Sequence, residues 1–273
     1  MSQKKSTDPD LTGFLNERRR TSDVGGGAEI TDYATYDSLP SSGEYATLNR
    51  VAMWRDTNTA GSIWVPAYLR NWTLETSWHG DTVALGALPA GWATGVVGAG
   101  TVTMVSNRVR CDSANTSDLD YGLIQYIFPA LGAAADIVVI CRTQIVNPSV
   151  TVAHACRAPE IGDLRGTDTA AFLSPDFGGV MGWYASDPGT AVAGGSAANQ
   201  TGLKVYEIRK PVGATVNQLI TARVLEDTAL VAHCRAVEVT IGAIGSSNIF
   251  FMARRFTDQV VVDVEFCAIY VKG

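Results

Sequence analysis

Apolar and polar positions in the second part of the chain form many short apolar runs separated by turn residues. Residues 102–105 and 261–266 alternate between apolar and polar side chains, which is the period of a β-strand with one buried face. Short strands with turns between them, and no long helical pattern, predict an antiparallel β-sandwich or barrel over residues 73–273. The predicted strands are residues 92–97, 101–105, 108–112, 121–128, 136–145, 149–156, 180–184, 203–208, 218–225, 229–239, 249–253 and 260–270.

Residues 31–72 differ from the rest and predict a small β-hairpin module. Two strand-like segments, residues 50–54 and 63–66, are separated by a turn-rich stretch. A hairpin of this size is marginally stable in water when it stands alone. The segment offers little else to bury Trp54 and Trp64, so we expect these rings to contact further copies of the chain or another protein.

Residues 1–30 predict a separate attachment segment. Residues 9–20 follow an Asp-Pro start signal and place Phe14 and Leu15 at helical spacing, which predicts one short amphipathic helix. A helix this short is unstable by itself, so Phe14 and Leu15 are expected to dock on a partner. Three consecutive glycines at residues 25–27 form a flexible joint to the remainder of the chain.

Composition and charge narrow the function classes. The chain has only 18% charged residues and 27 glycines, which fits a sheet protein with many tight turns. Its net charge of −6 opposes nucleic-acid binding, because that requires clustered Lys and Arg side chains. No apolar run reaches membrane-spanning length, and the first ten residues lack the apolar region of a signal peptide. We therefore expect neither nucleic-acid binding nor membrane insertion.

The five cysteines are widely spaced and include no Cys-x-x-Cys pair. Most have apolar neighbours, which is typical of buried free thiols in a protein made in a reducing cytoplasm, with disulfides or zinc as the alternative. A metal site would need His79, His154, Cys156, His233 and Cys234 to converge, and core or edge positions are the simpler interpretation. We expect no metal and no cofactor.

Two segments are candidates for a ligand-binding surface. Trp183 and Tyr184 lie between polar loops, where flat aromatic rings stack on sugar faces, although the same residues also fill sandwich cores. The acidic loop at residues 112–120 includes Asp118 and Asp120. Its carboxylates are of the kind that bind calcium, but a solvated surface loop is the simpler interpretation.

No catalytic constellation is indicated by the sequence. The chain has no G-x-S-x-G motif, no H-E-x-x-H motif and no phosphate-binding loop. Polysaccharide hydrolysis needs two carboxyl groups facing across a cleft. Asp263 and Glu265 are the one same-face pair on a clearly predicted strand, and we expect them on its exposed, convex, solvent side. The sequence therefore predicts a protein without enzymatic activity.

Two groups of segments resemble known families. Residues 32–40, 50–52, 56–58 and 63–66 resemble a module of phage tail-fibre and virion-attached proteins, in which a Tyr…Leu-Pro strand precedes an Arg-Val…Asp-Thr…Trp-Val-Pro hairpin. That resemblance implies a trimer-forming neck or adaptor. The second group resembles the first and last strands of concanavalin-like, laminin-G-type jelly rolls, and consists of residues 88–92, 105–111 and 262–271. This fold hosts lectins, hydrolases and inert structural modules alike.

These observations and resemblances together predict a mostly β protein with three parts. Residues 1–30 form the attachment segment with its short helix, residues 31–72 the β-hairpin module, and residues 73–273 a jelly-roll β-sandwich. The expected function is a structural component of a tailed-phage virion, assembled in the host cytoplasm: a homotrimeric tail fibre or spike that contacts other virion proteins and host-surface glycan. A capsid decoration or head-fibre/adaptor protein without receptor binding is the alternative, and a polysaccharide depolymerase is less favoured.

Overall fold

The computed structural model describes residues 31–114, 116, 120–127, 136–146, 156–162, 171–175, 180–187, 190–198, 202–210, 218–226, 237–239, 248–254, 259 and 261–272. The helix predicted at residues 9–20 lies outside these ranges, as do Phe14 and Leu15. Within them the chain forms β-strands and three short 3-10 turns, at Tyr36–Ser38, Ala67–Asn71 and Leu85–Ala87. No helix in the described part of the chain has the length and apolarity needed to cross a membrane.

The strands are, in chain order, β1 (Asp32–Tyr33), β2 (Tyr45–Leu48), β3 (Val51–Arg55), β4 (Trp64–Pro66), β5 (Thr73–His79), β6 (Trp92–Val97), β7 (Thr101–Met104), β8 (Val109–Asp112), β9 (Tyr121–Ile127), β10 (Asp136–Ile145), β11 (Cys156–Gly162), β12 (Ala171–Pro175), β13 (Val180–Asp187), β14 (Thr190–Ala198), β15 (Lys204–Lys210), β16 (Gln218–Val224), β17 (Val237–Val239), β18 (Asn248–Arg254) and β19 (Val261–Lys272). They form three sheets that stack as layers.

Two of these sheets make the sandwich. The first has the order β17-β16-β15-β10-β19-β8-β7, with β5 also paired to β19, and the second has the order β14-β13-β12-β11-β18-β9-β6. Neighbouring strands in both are antiparallel. The prediction of a mostly β protein built as an antiparallel, jelly-roll β-sandwich is confirmed.

The core of the sandwich lies between these two sheets. It includes the edge-to-face pair Trp78 and Trp92, whose ring centroids are 5.7 Å apart. Cys111, Cys141 and Cys267 are buried free thiols in the same core, as expected for free thiols in a reducing cytoplasm, although Cys111 has charged neighbours in the sequence. Burial raises the pKa of each of these thiols above its ordinary value, because the charged thiolate loses its hydration in the core.

The third sheet consists of β1–β4 and covers the outer face of the first sandwich sheet. β1 pairs with β2 in parallel, and the remaining pairs are antiparallel. Apolar side chains of this small sheet, among them Leu48 and Met53, pack against Ile140, Phe266 and Tyr270 of β10 and β19. The first sandwich sheet is therefore apolar on both faces in its centre, which explains the continuous apolar runs at residues 137–141 of β10 and 266–271 of β19.

The expectation that residues 31–72 lack a core for their aromatic rings is wrong. Trp64 is 5% exposed, and its indole N–H donates to the carbonyl of Pro40 at 3.0 Å. Trp54 is half-buried and packs against the same cluster. The rings find their partners on the sandwich of the same chain, so their burial gives no physical argument for a trimer.

Candidate functional site

Along one edge of β19, the strands β8 and β5 of the first sandwich sheet pair with successive segments and meet end to end. β8 pairs with residues 261–264 of β19, and β5 pairs with residues 266–271 along the same edge. Glu265 lies where the two strands meet end to end, and its carbonyl accepts a hydrogen bond from the Gly80 N–H at 2.7 Å. The loop that follows β5 and the turn that precedes β8 are thereby brought together beside Glu265.

A β-bulge in the pairing of β19 with β10 places Glu265 and Phe266 on the same side of the sheet. In the pairing with β10, Arg142 lies opposite Phe266 and Thr143 opposite Val264, so Glu265 is an extra residue. Val264 packs between the sandwich sheets, whereas Phe266 packs under the small sheet. The extra residue lets Glu265 and Phe266 both lie on the outer side of the sheet.

A polar cleft of about 250 Å³ opens at this point. The small sheet's segment contributes one side chain, Asp37, and the sandwich contributes the others. The lining residues are Asp37, Asp81, Ser106, Asn107, Arg108, Arg142, Leu203 and Glu265. Apart from Leu203, all of them carry polar side chains, which distinguishes this cleft from the apolar cores on either side.

Arg142 is the central cation of the cleft. Its guanidinium donates to Glu265 Oε1 at 2.9 Å and to Asp37 Oδ2 at 2.7 Å, and it lies 5.3 Å from the centroid of the Tyr36 ring. The side chain is only 6% exposed. Burial lowers the pKa of Arg142, but the hydrogen bond that its guanidinium donates to Asp37 and the charges of Glu265 and Asp37 raise this pKa by more. Arg142 is therefore a fixed positive charge that joins the small sheet to the sandwich.

Two further groups face Glu265. The Arg108 Nε lies 3.9 Å from Glu265 Oε2, which is too far for a hydrogen bond. His79 Nδ1 accepts the backbone N–H of Asp81 at 3.2 Å, which assigns the proton of the neutral ring to Nε2, 3.9 Å from Glu265 Oε1. The imidazole stacks on Phe266 with the ring planes 18° apart. Glu265 thus has cationic or N–H groups on three sides.

The walls of the cleft depend on close backbone contact. Ser106 and Asn107 both have positive φ, and Val105 and Arg108 exchange two backbone hydrogen bonds, which is the pattern of a type I′ hairpin turn. This turn orients Arg108. A Cβ atom on Gly80 would lie 1.9 Å from the carbonyl oxygen of Asn107, so only glycine allows the two strand ends to meet.

A buried carboxylate holds the segment that carries Asp37. Glu226 Oε1 accepts the backbone N–H of Tyr36 at 2.7 Å, and Oε2 accepts that of Val205 at 2.8 Å. The hydroxyl of Tyr36 also accepts the Trp64 N–H at 2.8 Å. Burial is the main cause that raises the pKa of Tyr36 well above its ordinary value. These contacts fix Asp37 over the cleft.

The structure separates the carboxylates that the sequence paired. Asp263 is buried, and it accepts two hydrogen bonds from Arg110 at 2.7 and 2.8 Å and one from Gln144 at 2.9 Å. Glu265 instead lines the cleft. The expectation of an exposed, convex pair is wrong, because Asp263 is buried with Arg110 and Gln144, and Glu265 lies in a cleft.

Of the other predicted ligand residues, Asp120 is not among the described residues that line this cleft. Asp120 is buried, accepts the Ala99 N–H at 3.1 Å and contacts the Thr116 hydroxyl, so it is not a solvated surface group. Asp118 lies outside the described residues. Trp183 and Tyr184 lie in β13, where the pairing with β14 shifts register between them. Among the described residues, no group of three or more His, Cys, Asp and Glu side chains is arranged to hold a metal ion.

Comparisons with known proteins extend the fold assignment. No protein-family model and no curated protein sequence matches the chain. A conserved carbohydrate esterase from Shiga toxin-encoding bacteriophage phi24B is 12% identical over 74% of this chain and 100% of its own, with a TM-score of 0.51. A protein of unknown function from Shewanella oneidensis MR-1 is 11% identical over 72% and 85%, with a TM-score of 0.52. The carbohydrate recognition domain of Emp47p is 11% identical over 72% and 96%, with a TM-score of 0.46. The similarities to the phage esterase and the Shewanella protein support the fold of the sandwich.

Proposed function

We propose that this chain is a non-enzymatic, glycan-binding structural protein of a tailed-phage particle. The observation that carries the proposal is the polar cleft beside Glu265, on a sandwich fold shared with a carbohydrate esterase of bacteriophage phi24B. Small-molecule sites combine a concave surface with a few convergent polar groups, and sugars present hydroxyl groups that such side chains can bind. Glycan recognition fits both the cleft and the kind of fold.

Binding without hydrolysis is supported by the pairing of the cleft carboxylates. Glu265 and Asp37 both accept hydrogen bonds from Arg142. Glycoside hydrolysis requires one carboxyl group to donate a proton while a second acts as base or nucleophile. Both carboxylates therefore contact the same guanidinium group, which supports a role in binding.

Ester hydrolysis is the second candidate, because the phage neighbour is called a carbohydrate esterase. His79 lies beside the cleft that Ser106 lines. A serine nucleophile needs its hydroxyl within hydrogen-bond distance of a base, and no serine hydroxyl in the described part of the chain hydrogen-bonds to His79. Acetate release from O-acetylated polysaccharide that is lost in His79→Ala would favour this candidate over binding alone.

The virion assignment is a proposal that rests on the resemblance of residues 32–66 to modules of phage tail-fibre and virion-attached proteins. In this proposal residues 1–30 attach the chain to other virion proteins, the chain forms a homotrimer, and the particle assembles in the host cytoplasm. Deletion of residues 1–30 is then expected to abolish incorporation into particles and leave the sandwich folded. A density map of purified particles tests the location, and a chain bound to the capsid lattice would favour the decoration or head-fibre alternative.

The glycan proposal is tested with the purified full chain and immobilised lipopolysaccharide and capsule of the host. We expect saturable binding with no release of reducing ends or acetate. The matched control is free soluble polysaccharide, which should compete with the immobilised form. Absence of binding to every host polysaccharide would refute glycan recognition, and release of reducing ends would move a depolymerase to first place.

A further inference from the structure

Hydrogen-bond donors in the cleft lack acceptors. The side chain of Arg108 is 31% exposed, and its guanidinium makes no hydrogen bond to any described residue. Its Nε is buried, so a ligand would contact the exposed part of the guanidinium. An N–H group that faces a cleft without a protein acceptor can donate to a ligand oxygen. Arg108 therefore offers donor groups to acceptor oxygens in the cleft.

The charges of the cleft determine which acceptors it receives. Among the described residues, three carboxylates, those of Asp37, Asp81 and Glu265, line it together with two guanidinium groups. A ligand carboxylate, phosphate or sulfate placed on Arg108 would come close to Glu265, whose own oxygen is 3.9 Å from the Arg108 Nε. Like charges at such separations repel strongly where water is partly excluded. Neutral oxygens, such as hydroxyl or amide carbonyl groups, avoid this repulsion.

The cleft also contains two exposed carboxylates that can accept hydrogen bonds. The side chains of Asp37 and Asp81 are 76% and 55% exposed, so their oxygens can accept from ligand hydroxyl groups. A sugar hydroxyl both accepts and donates, which matches a lining with free donors and free acceptors. The volume of about 250 Å³ lies just below the roughly 300–1,000 Å³ of pockets for drug-sized ligands, so it suits one sugar ring.

We propose that the cleft beside Glu265 binds a single neutral sugar residue of a glycan, with Arg108 as the main donor, and that it discriminates against acidic sugars. This inference rests on the proposed function and assigns it a site and a ligand class. The affinity for one sugar should be weak, with Kd on the order of 1 mM, because few atoms make contact.

The test is a saturation-transfer NMR titration of the full chain with methyl glycosides. Neutral probes are methyl glucoside, galactoside, mannoside and N-acetylglucosaminide, and acidic probes are methyl glucuronide and the methyl glycoside of N-acetylneuraminic acid. We expect at least one neutral probe to bind at least about tenfold more tightly than either acidic probe. Arg108→Ala should weaken that binding at least about tenfold. The control Arg50→Ala removes an exposed arginine outside the cleft and should leave binding unchanged.

A second variant tests the charge argument without touching the donors. Asp81→Asn removes an exposed carboxylate and should narrow the discrimination against acidic probes several-fold. Tighter binding of an acidic probe, or neutral binding that survives Arg108→Ala in a folded variant, would overturn the inference while glycan recognition stood. Binding of host polysaccharide without binding of any probe would likewise overturn the inference and leave glycan recognition standing. Failure of host polysaccharide to bind at all is the separate result that refutes the proposed function.

Discussion

Replacement of Arg142 by Met tests how much the buried guanidinium stabilises the junction between the small sheet and the sandwich. The substitution keeps an extended apolar side chain but removes both ion pairs. Glu265, whose side chain is 18% exposed, loses its hydrogen-bonded cation, whereas Asp37, at 76%, is already largely hydrated. Removal of one partner of a fully buried pair costs about 3–5 kcal/mol, and an exposed pair contributes about 0–1 kcal/mol. Because Glu265 keeps some water and the distant Arg108, we expect a loss of about 2–4 kcal/mol.

Urea unfolding followed by tryptophan fluorescence measures this loss as a change in midpoint at constant slope. The matched control is Asp37→Asn, which removes only the exposed ion pair and should cost less than about 1 kcal/mol. The double variant with Glu265→Gln should recover part of the stability, because no buried charge is left without a partner. Equal losses in Arg142→Met and Asp37→Asn would refute the view that Arg142 stabilises the junction through Glu265.

Three further predictions follow from buried groups. Glu226→Gln should cost about 1–3 kcal/mol in urea unfolding, because one of two backbone N–H groups loses its acceptor, while Glu44→Gln on the surface should be neutral. Gly80→Ala should strongly lower the thermal unfolding midpoint, because the added Cβ clashes with Asn107. The control Gly86→Ala places its Cβ where no atom lies within 4 Å and should leave the midpoint unchanged. Equal midpoints for the two variants would contradict the close contact. The pKa values of the three buried thiols are raised above the ordinary 9.0, so the folded state retains protons that the unfolded state releases. The free energy of unfolding should therefore fall by roughly 1 kcal/mol per thiol per pH unit above about pH 9, and a flat profile between about pH 8 and 10 would exclude this.

Much of the sandwich could be predicted from the sequence. The predicted strands at residues 92–97 and 136–145 have the bounds of β6 and β10, because each is a clear apolar run between turn residues. β5, β12 and β14 were not predicted. Residues 190–198, which form β14, contain mainly small residues with little β preference, and their pairing with β13 depends on tertiary context.

The cleft could not be predicted, because it depends on contacts between residues far apart in sequence. Asp37, Arg108, Arg142 and Glu265 come from different strands or turns, and none belongs to a local motif. Two features of the sequence nevertheless relate to the position of the cleft. The continuous apolar run at residues 266–271 indicates a strand buried on both faces, and an arginine at position 142 directly follows the apolar run at residues 137–141.

The bulge at Glu265 has a consequence for how this site relates to the fold that carries it. On either side of Glu265 the side chains of β19 alternate regularly between the two faces of the sheet. The pairing of β19 with β10 also continues in both directions from this residue. Removal of this one residue would let Val264 and Phe266 follow each other in a regular ladder, with every core side chain still on its own face. The cleft carboxylate is thus a one-residue insertion, and a sandwich with the same core could lose or acquire the site through a single codon.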